Sequence, residues 1–180
     1  PRPMIGDTPA TLPPVTLVLG GARSGKSIFG QGLAAGAGPT PTLIATARVA
    51  DDEMAARIQR HKSERGPQWT TIEEDLDLAG ALGRVAVSGG AILVDCLTLW
   101  LANVMEDGRD PQAEITRLRG CLPGLQAPVI FVSNEVGAGI VPANALARAF
   151  RDHSGRMNQT VAAAADQVFL ITAGLPQKLK

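Results

Sequence analysis

An apolar pentapeptide, Val15-Thr16-Leu17-Val18-Leu19, runs directly into Gly20-Gly21-Ala22-Arg23-Ser24-Gly25-Lys26-Ser27. This junction constrains the chain more than any other feature. The spacing Gly-x-x-x-x-Gly-Lys-Ser lets a backbone turn its N–H groups inward around phosphate oxygens. It requires a strand before it and a helix after it, because the helix N-terminus adds favourable potential for an anion. Lys26 is expected to reach the β- and γ-phosphates, and the Ser27 hydroxyl to bind Mg²⁺. The competing reading is a glycine-rich turn that binds nothing.

The rest of the chain alternates short apolar runs with longer helical patterns. That alternation predicts stacked βαβ units: an α/β, P-loop NTPase-like domain with a mainly parallel central sheet flanked by helices. Strands are expected at 15–19, 42–46, 69–72, 91–95, 128–133 and 167–172. Helices are expected at 25–35, 51–65, 75–86, 97–106, 110–125 and 142–165, the last opened by Pro142 in its first turn. The Pro-rich residues 1–14 read as a flexible leader, and 15–180 as a single nucleotide-binding catalytic domain.

Charge excludes some partners. Basic and acidic residues number 17 each, so the formal net charge is zero. No basic surplus marks a nucleic-acid footprint or a polybasic membrane patch. No apolar run is long enough to span a membrane, and no export signal is legible, so a cytoplasmic location is expected. Cys96 and Cys121 form no CxxC pair, and Cys96 reads as a small buried hydrophobe.

Asp95 ends the apolar run Ala91-Ile92-Leu93-Val94. A carboxylate at the carboxyl end of a parallel strand lies where open α/β sheets bind ligands. It would hold Mg²⁺ directly or through water. The alternative is an N-cap for the helix that follows. The strand end Ser133-Asn134-Glu135-Val136 lacks the Asn-Lys-x-Asp pattern that reads guanine in regulatory GTPases. Asn134 and Glu135 read equally as substrate contacts or as a turn with a capping acid. His153 reads as a satisfied helix residue, and Trp69 and Trp100 as core or interface.

His61 lies in a segment of helical pattern, with Arg57 and Arg65 one turn to either side. Neighbouring cations favour the neutral imidazole, which can act as a nucleophile. Spacing alone does not make the residue catalytic.

Taken together these stretches resemble the bifunctional adenosylcobinamide kinase / adenosylcobinamide-phosphate guanylyltransferase family of cobalamin biosynthesis. The matching segments are GGARSGKS at 20–27, IAT at 44–46, DDEMAARIQRHK at 51–62, Trp69 and Glu73, NEVGAGIVP at 134–142 and LARAFRDHSGRMNQTVAAAAD at 146–166. The resemblance implies two reactions. A nucleoside triphosphate, ATP or GTP, phosphorylates adenosylcobinamide. GTP then donates GMP to the phosphate through a guanylylated histidine, which maps to His61, giving adenosylcobinamide-GDP and pyrophosphate.

The resemblance also implies GTP contacts at Ala45, Thr46 and Ala47, at Lys62, Ser63, Glu64 and Arg65, and at the acidic residues Glu73 and Asp95. Some relatives carry Glu where this chain has Asp95. A homo-oligomer, a trimer, is implied as well. A kinase that only phosphorylates a small alcohol, and a nucleotide-dependent regulatory module, are the competing functions.

Overall fold

The computed structural model describes residues 11–48, 66–85 and 90–180. Val15–Gly20 forms strand β1, buried along its whole length. Its side chains alternate between two cores: Leu17 and Leu19 face one, Val18 the other. A strand covered on both faces reads as an unbroken apolar run, which is why the pattern at 15–19 shows no polar alternation.

Helix α1 (Lys26–Gly36) follows the glycine-rich loop. Then come β2 (Thr42–Ala45), β3 (Thr70–Glu73), α2 (Leu78–Arg84), β4 (Ile92–Val94), α3 (Leu97–Glu106), α4 (Pro111–Cys121), β5 (Val129–Asn134), α5 (Ala145–Ala164), β6 (Gln167–Thr172) and β7 (Leu175–Lys178). The expected helix at 51–65 falls outside the described residues.

The strands form one sheet in the order β3-β2-β4-β5-β1-β6-β7. All pairings are parallel except β6 with β7, which is antiparallel. This order dictates where the helices go. A crossover between parallel strands is right-handed. The step from β1 to β2 runs one way along the sheet, whereas β3 to β4, β4 to β5 and β5 to β6 all run the other way. Right-handedness therefore puts α1 on one face and α2 to α5 on the opposite face. The cores agree. Leu33 and Ala34 of α1 pack with Val18, Leu93, Ile130 and Val132. Residues of α2 to α5, among them Leu82, Trp100, Leu118 and Met157, pack with Leu17, Val94 and Phe131.

Two expectations at the C-terminal end are corrected. Pro142 does not open the last helix. The helix starts at Ala145, and Asn144 caps it by accepting from the backbone N–H groups of Leu146 at 2.7 Å and Ala147 at 3.2 Å. An Asn side chain satisfies two orphan donors, which a proline at the first position cannot do. The Pro142 carbonyl instead accepts from Arg148 at 2.9 Å. The sheet also continues past residue 172 through a hairpin into β7, all four of whose residues are exposed. Short, polar and Pro-containing, β7 has the composition of an edge strand.

Candidate active site

Neighbouring strands β1 and β5 send their chains to opposite faces, β1 to α1 and β5 to α5. A crevice opens at the carboxyl ends of such a pair, where open α/β sheets bind ligands. The glycine-rich loop lines one side of it, and Asn134 and Glu135 line the other. Register puts Asn134 beside Gly20. The Glu135 N–H donates to the Gly20 carbonyl at 3.1 Å, tying the two loops together.

The loop itself is wound tightly. Arg23 and Gly25 adopt left-handed backbone, with φ of 55° and 96°. Ser24 N–H donates to the Gly21 carbonyl at 3.3 Å. A Cβ on Gly20 would lie 2.4 Å from Ser24 Oγ and 2.8 Å from the Ile171 carbonyl, so only glycine fits. No side chain caps α1, and its first turn carries no acid. The positive dipole end of α1 therefore faces the loop without a carboxylate in its own first turn. Lys26 is buried, and its Nζ donates to the Gly21 carbonyl at 3.0 Å. The ammonium thus folds back over the loop, where an anionic phosphate oxygen would be a stronger acceptor than a neutral carbonyl. Ser27, next in the first turn, is half-buried, and Gly21, Ala22 and Arg23 are exposed.

Asp95 follows β4 directly, and its N–H donates to the Ile44 carbonyl at 3.1 Å. The capping role open to Asp95 belongs to its neighbour. Cys96 is the N-cap of α3, and its Sγ accepts from the Leu99 N–H at 3.4 Å. Cys96 is half-buried rather than fully buried, and desolvation pushes its thiol pKa up.

The β2 end is held by a different set of bonds. Thr46 is 1% exposed. Its hydroxyl donates to the Cys96 carbonyl at 2.7 Å, and its own carbonyl accepts from Asn103 at 2.8 Å. Thr46 thus ties β2 to the end of β4. Ala45 and Ala47 beside it are half-buried, and the Ala45 carbonyl accepts from Glu74 N–H at 3.0 Å. Glu73 ends β3 and is exposed. Arg48 pairs with Asp75 and lies 3.8 Å from Glu106, which fixes the chain as it leaves β2. The carboxylate of Asp75 raises the Arg48 pKa.

The fold thus gathers residues 20–27, Ala45 to Ala47, Glu73 and Asp95 at the carboxyl ends of β1, β2, β3 and β4. His61, Lys62, Ser63, Glu64 and Arg65 lie outside the described residues. Trp100 belongs to the core at 1% exposure and donates from Nε1 to the Leu76 carbonyl at 2.9 Å. Trp69 packs partly buried on the α1 side. His153 departs from expectation. Its Nδ1 is buried with no hydrogen-bond partner among the described residues.

Two features went unread in the sequence. One is the link from α5 to the β5 loop. Asn158 donates to Glu135 Oε1 at 3.0 Å and to the Asn134 carbonyl at 3.2 Å. The other is the β6–β7 turn, whose Gly174 N–H donates to the Ser24 carbonyl at 2.8 Å. An Ala-Gly pair at 173–174 after an apolar run was the available signal for a tight hairpin.

The ligands expected for magnesium suit that ion. Ser27 and Asp95 offer hard oxygen atoms, the kind Mg²⁺ takes together with phosphate and water. Among the described residues, no group of three or more His, Cys, Asp or Glu could hold a metal. A site of one hydroxyl and one carboxylate fits an ion that arrives with a nucleotide. No described helix is long and apolar enough to cross a membrane.

Comparison with known proteins agrees with this architecture. A crystal structure of the RadB recombinase superposes with a TM-score of 0.54 at 16% identity, over 89% of this chain and 75% of that one. The assembled ATPase EscN of the enteropathogenic E. coli type III secretion system gives 0.52 at 9% identity, over 88% and 43%. At such identities the likeness shows the fold alone, the expected P-loop NTPase-like α/β domain. Sequence relatives are nearer. The bifunctional adenosylcobalamin biosynthesis protein CobP of Pseudomonas aeruginosa is 44% identical over 91% of this chain and 96% of its own length. The bifunctional adenosylcobalamin biosynthesis protein CobU of Salmonella typhimurium is 42% identical over 91% and 98%. The profile of one family matches residues 16–179. The chain is therefore an enzyme of the cobinamide kinase / cobinamide phosphate guanyltransferase family.

Proposed function

We propose that the chain phosphorylates the aminopropanol hydroxyl of adenosylcobinamide and then transfers GMP from GTP to that phosphate. The products of the second reaction are adenosylcobinamide-GDP and pyrophosphate. The observation that carries this reading is the start of α1, without a side-chain cap, behind a tightly wound glycine loop at the β1–β5 switch point of the sheet, with Asp95 at the carboxyl end of β4 on the same edge. A single phosphate cradle of this kind can present either phosphorus atom of one triphosphate. Attack at the γ-phosphorus by the substrate hydroxyl moves a phosphoryl group. Attack at the α-phosphorus by His61 moves GMP and releases pyrophosphate.

Backbone N–H groups of the glycine-rich loop and the start of α1 would hold the phosphates, and Lys26 would neutralise charge as it builds on the transferred group. Ser27 and Asp95 would hold Mg²⁺, which supplies further neutralisation of phosphate oxygens. Ala45, Thr46, Ala47 and Glu73 border the nucleotide on the β2–β3 side, and Lys62, Ser63, Glu64 and Arg65 follow the nucleophile. A covalent guanylyl-histidine divides the second transfer into two displacements. A homo-oligomer, a trimer, belongs to the same reading. The side chains of Ile28, Ile140 and Leu146, 75%, 96% and 67% exposed, offer apolar surface for it.

The test uses GTP labelled at the α- or γ-phosphate, with Mg²⁺ and without corrinoid. The α-label is expected on the protein in an acid-labile, base-stable bond. His61→Ala is expected to lose that label and to keep phosphorylating adenosylcobinamide. Full guanylyl transfer by His61→Ala overturns the role of the histidine. Phosphorylation of adenosylcobinamide by the unaltered protein without α-label reduces the activity to that of a kinase.

A further inference from the structure

Glu135 stands where the two reactants of the phosphoryl-transfer step have to meet. Strand β5 lies between β1 and β4. The residue that leaves its carboxyl end is therefore flanked by the phosphate loop on one side and, on the other, by the chain leaving β4, where Thr98 accepts from the Asn134 N–H. The backbone of Glu135 is pinned to the root of that loop by the bond from its N–H to the Gly20 carbonyl.

Its side chain is placed just as definitely. Asn158 on α5 is 5% exposed and donates to Glu135 Oε1 at 3.0 Å. Asn158 is itself locked: Ser133 Oγ, fully buried, donates to its Oδ1 at 2.7 Å, and Asn158 also donates to the Asn134 carbonyl. Thr98 extends the set by accepting from the Asn134 N–H at 2.8 Å. Burying this many polar groups is costly unless each is satisfied, and a satisfied network is rigid. This one ends on a carboxylate that is otherwise exposed.

Two ordinary structural explanations for Glu135, a helix cap and an ion pair, do not apply. The cap of α5 is Asn144. Among the described residues no Lys or Arg forms an ion pair with Glu135. An ionised carboxylate has acceptor capacity on both oxygens, and the bond from Asn158 uses part of it on one.

The crossovers also separate the two reactants. The loop after β1 turns toward α1 and would carry the triphosphate. The loop after β5 turns toward α5, leaving the α5 side for the acceptor alcohol.

We propose that Glu135 receives the acceptor hydroxyl in the phosphoryl-transfer step, and that Asn158 is its positioning residue. The inference rests on the kinase activity proposed above. The hydroxyl oxygen forms a bond to the γ-phosphorus as the bond from that phosphorus to the bridging oxygen breaks. The nucleoside diphosphate leaves with the bridging oxygen. The hydroxyl proton passes to the Glu135 carboxylate and from there to water.

The experiment compares full-length wild type, Glu135→Gln, Glu135→Asp and Asn158→Ala. Three readouts are taken: transfer of γ-label to adenosylcobinamide, incorporation of α-label into protein without corrinoid, and nucleotide Kd. Glu135→Gln is expected to lower kcat for γ-transfer about 100-fold or more, the scale of a lost proton acceptor. Its Kd and α-label incorporation are expected to change less than about threefold. Glu135→Asp keeps a carboxylate and is expected to recover part of the rate. Asn158→Ala is expected to lower kcat about 10-fold with KM for nucleotide unchanged. Transfer within threefold of wild type in Glu135→Gln overturns the proposal. So does a parallel loss of γ-transfer, α-labelling and nucleotide binding in both Glu135→Gln and Asn158→Ala, which marks a structural role. A wild type that transfers no γ-label to adenosylcobinamide overturns the parent reading, a result distinguishable from either.

Discussion

Gly174 donates its backbone N–H to the Ser24 carbonyl at 2.8 Å, so the β6–β7 turn is bolted to the phosphate loop. The turn has positive φ at both central residues, 52° at Ala173 and 79° at Gly174. That is the geometry of a type I′ hairpin, which favours Asn-Gly. Alanine pays a penalty in left-handed backbone that asparagine largely escapes. Ala173→Asn is expected to stabilise the fold by roughly 0.5–1 kcal/mol, or about 1–4 °C in Tm for a chain of this length. Nucleotide affinity should hold or improve, because the turn braces the loop. Calorimetry and a fluorescent GTP analogue check both.

On the other side of that contact sits Gly25, with φ of 96° and an imagined Cβ 3.2 Å from Gly174 Cα. Gly25→Ala therefore meets backbone strain and a crowded neighbour together. The loop would have to unwind from the start of α1 to accommodate it. We expect a nucleotide Kd at least 10-fold weaker, with a Tm loss of only a few degrees because the two cores are untouched. A titration showing unchanged affinity would falsify the claim that this backbone conformation shapes the phosphate cradle.

What could be read from the sequence followed from signals that are local. The run at 15–19, the glycines at 20, 21 and 25, and the carboxylate closing 91–95 each carry their structural meaning within a few residues, so β1, the loop and Asp95 were legible. The network around Glu135 was not, since Ser133, Asn158 and Thr98 come from three elements that only the crossovers bring together. Asp95 could not be separated from an N-cap, because the choice between Asp95 and Cys96 depends on one residue of helix phase. The start of α5 was misplaced for a similar reason: proline and asparagine are both helix-start signals, and the structure uses Asn144, which accepts from the Leu146 and Ala147 N–H groups. The β7 strand was missed because its residues, Leu175-Pro176-Gln177-Lys178, lack the apolar pattern of a buried strand.

Asp77 makes stability depend on pH. It is the N-cap of α2, accepting from the Gly80 N–H at 3.1 Å. Arg117 lies 2.7 Å and Arg84 3.2 Å from its carboxylate. Burial pushes the carboxyl pKa up, but the hydrogen bonds from Arg84, Gly80 and Arg117 outweigh it and hold the pKa below its ordinary value. A carboxyl whose pKa is lower in the folded state stabilises the fold above the unfolded value, about 4. That contribution is lost as pH falls through the folded value. Asp77→Asn keeps a cap but has no proton to bind. Its Tm should fall less steeply than that of wild type below about pH 4, and parallel Tm curves in that range would remove Asp77 from the acid response. Asp77→Ala should cost about 1 kcal/mol at neutral pH through the lost cap.

Asp95 offers the sharpest separation of structure from chemistry. With the α3 cap supplied by Cys96, replacing the carboxylate by an amide of the same shape should leave the helix start intact. Asp95→Asn is thus expected to leave the α3 cap in place. Its chemistry should suffer far more, because an amide oxygen is a weaker partner for Mg²⁺ and brings no charge to balance the ion. We expect phosphoryl transfer and protein guanylylation to fall together, each by about 100-fold, since in the proposed scheme both displacements would use one nucleotide–metal complex. Raising Mg²⁺ should recover part of the loss, whereas a folding defect would not respond to the ion. Asp95→Glu tests reach: it keeps the charge on a side chain one methylene longer, so it should retain more activity than the amide. If Asp95→Asn instead unfolds the chain while Asp95→Glu matches wild type in rate and Mg²⁺ dependence, the carboxylate is structural and the metal is held elsewhere.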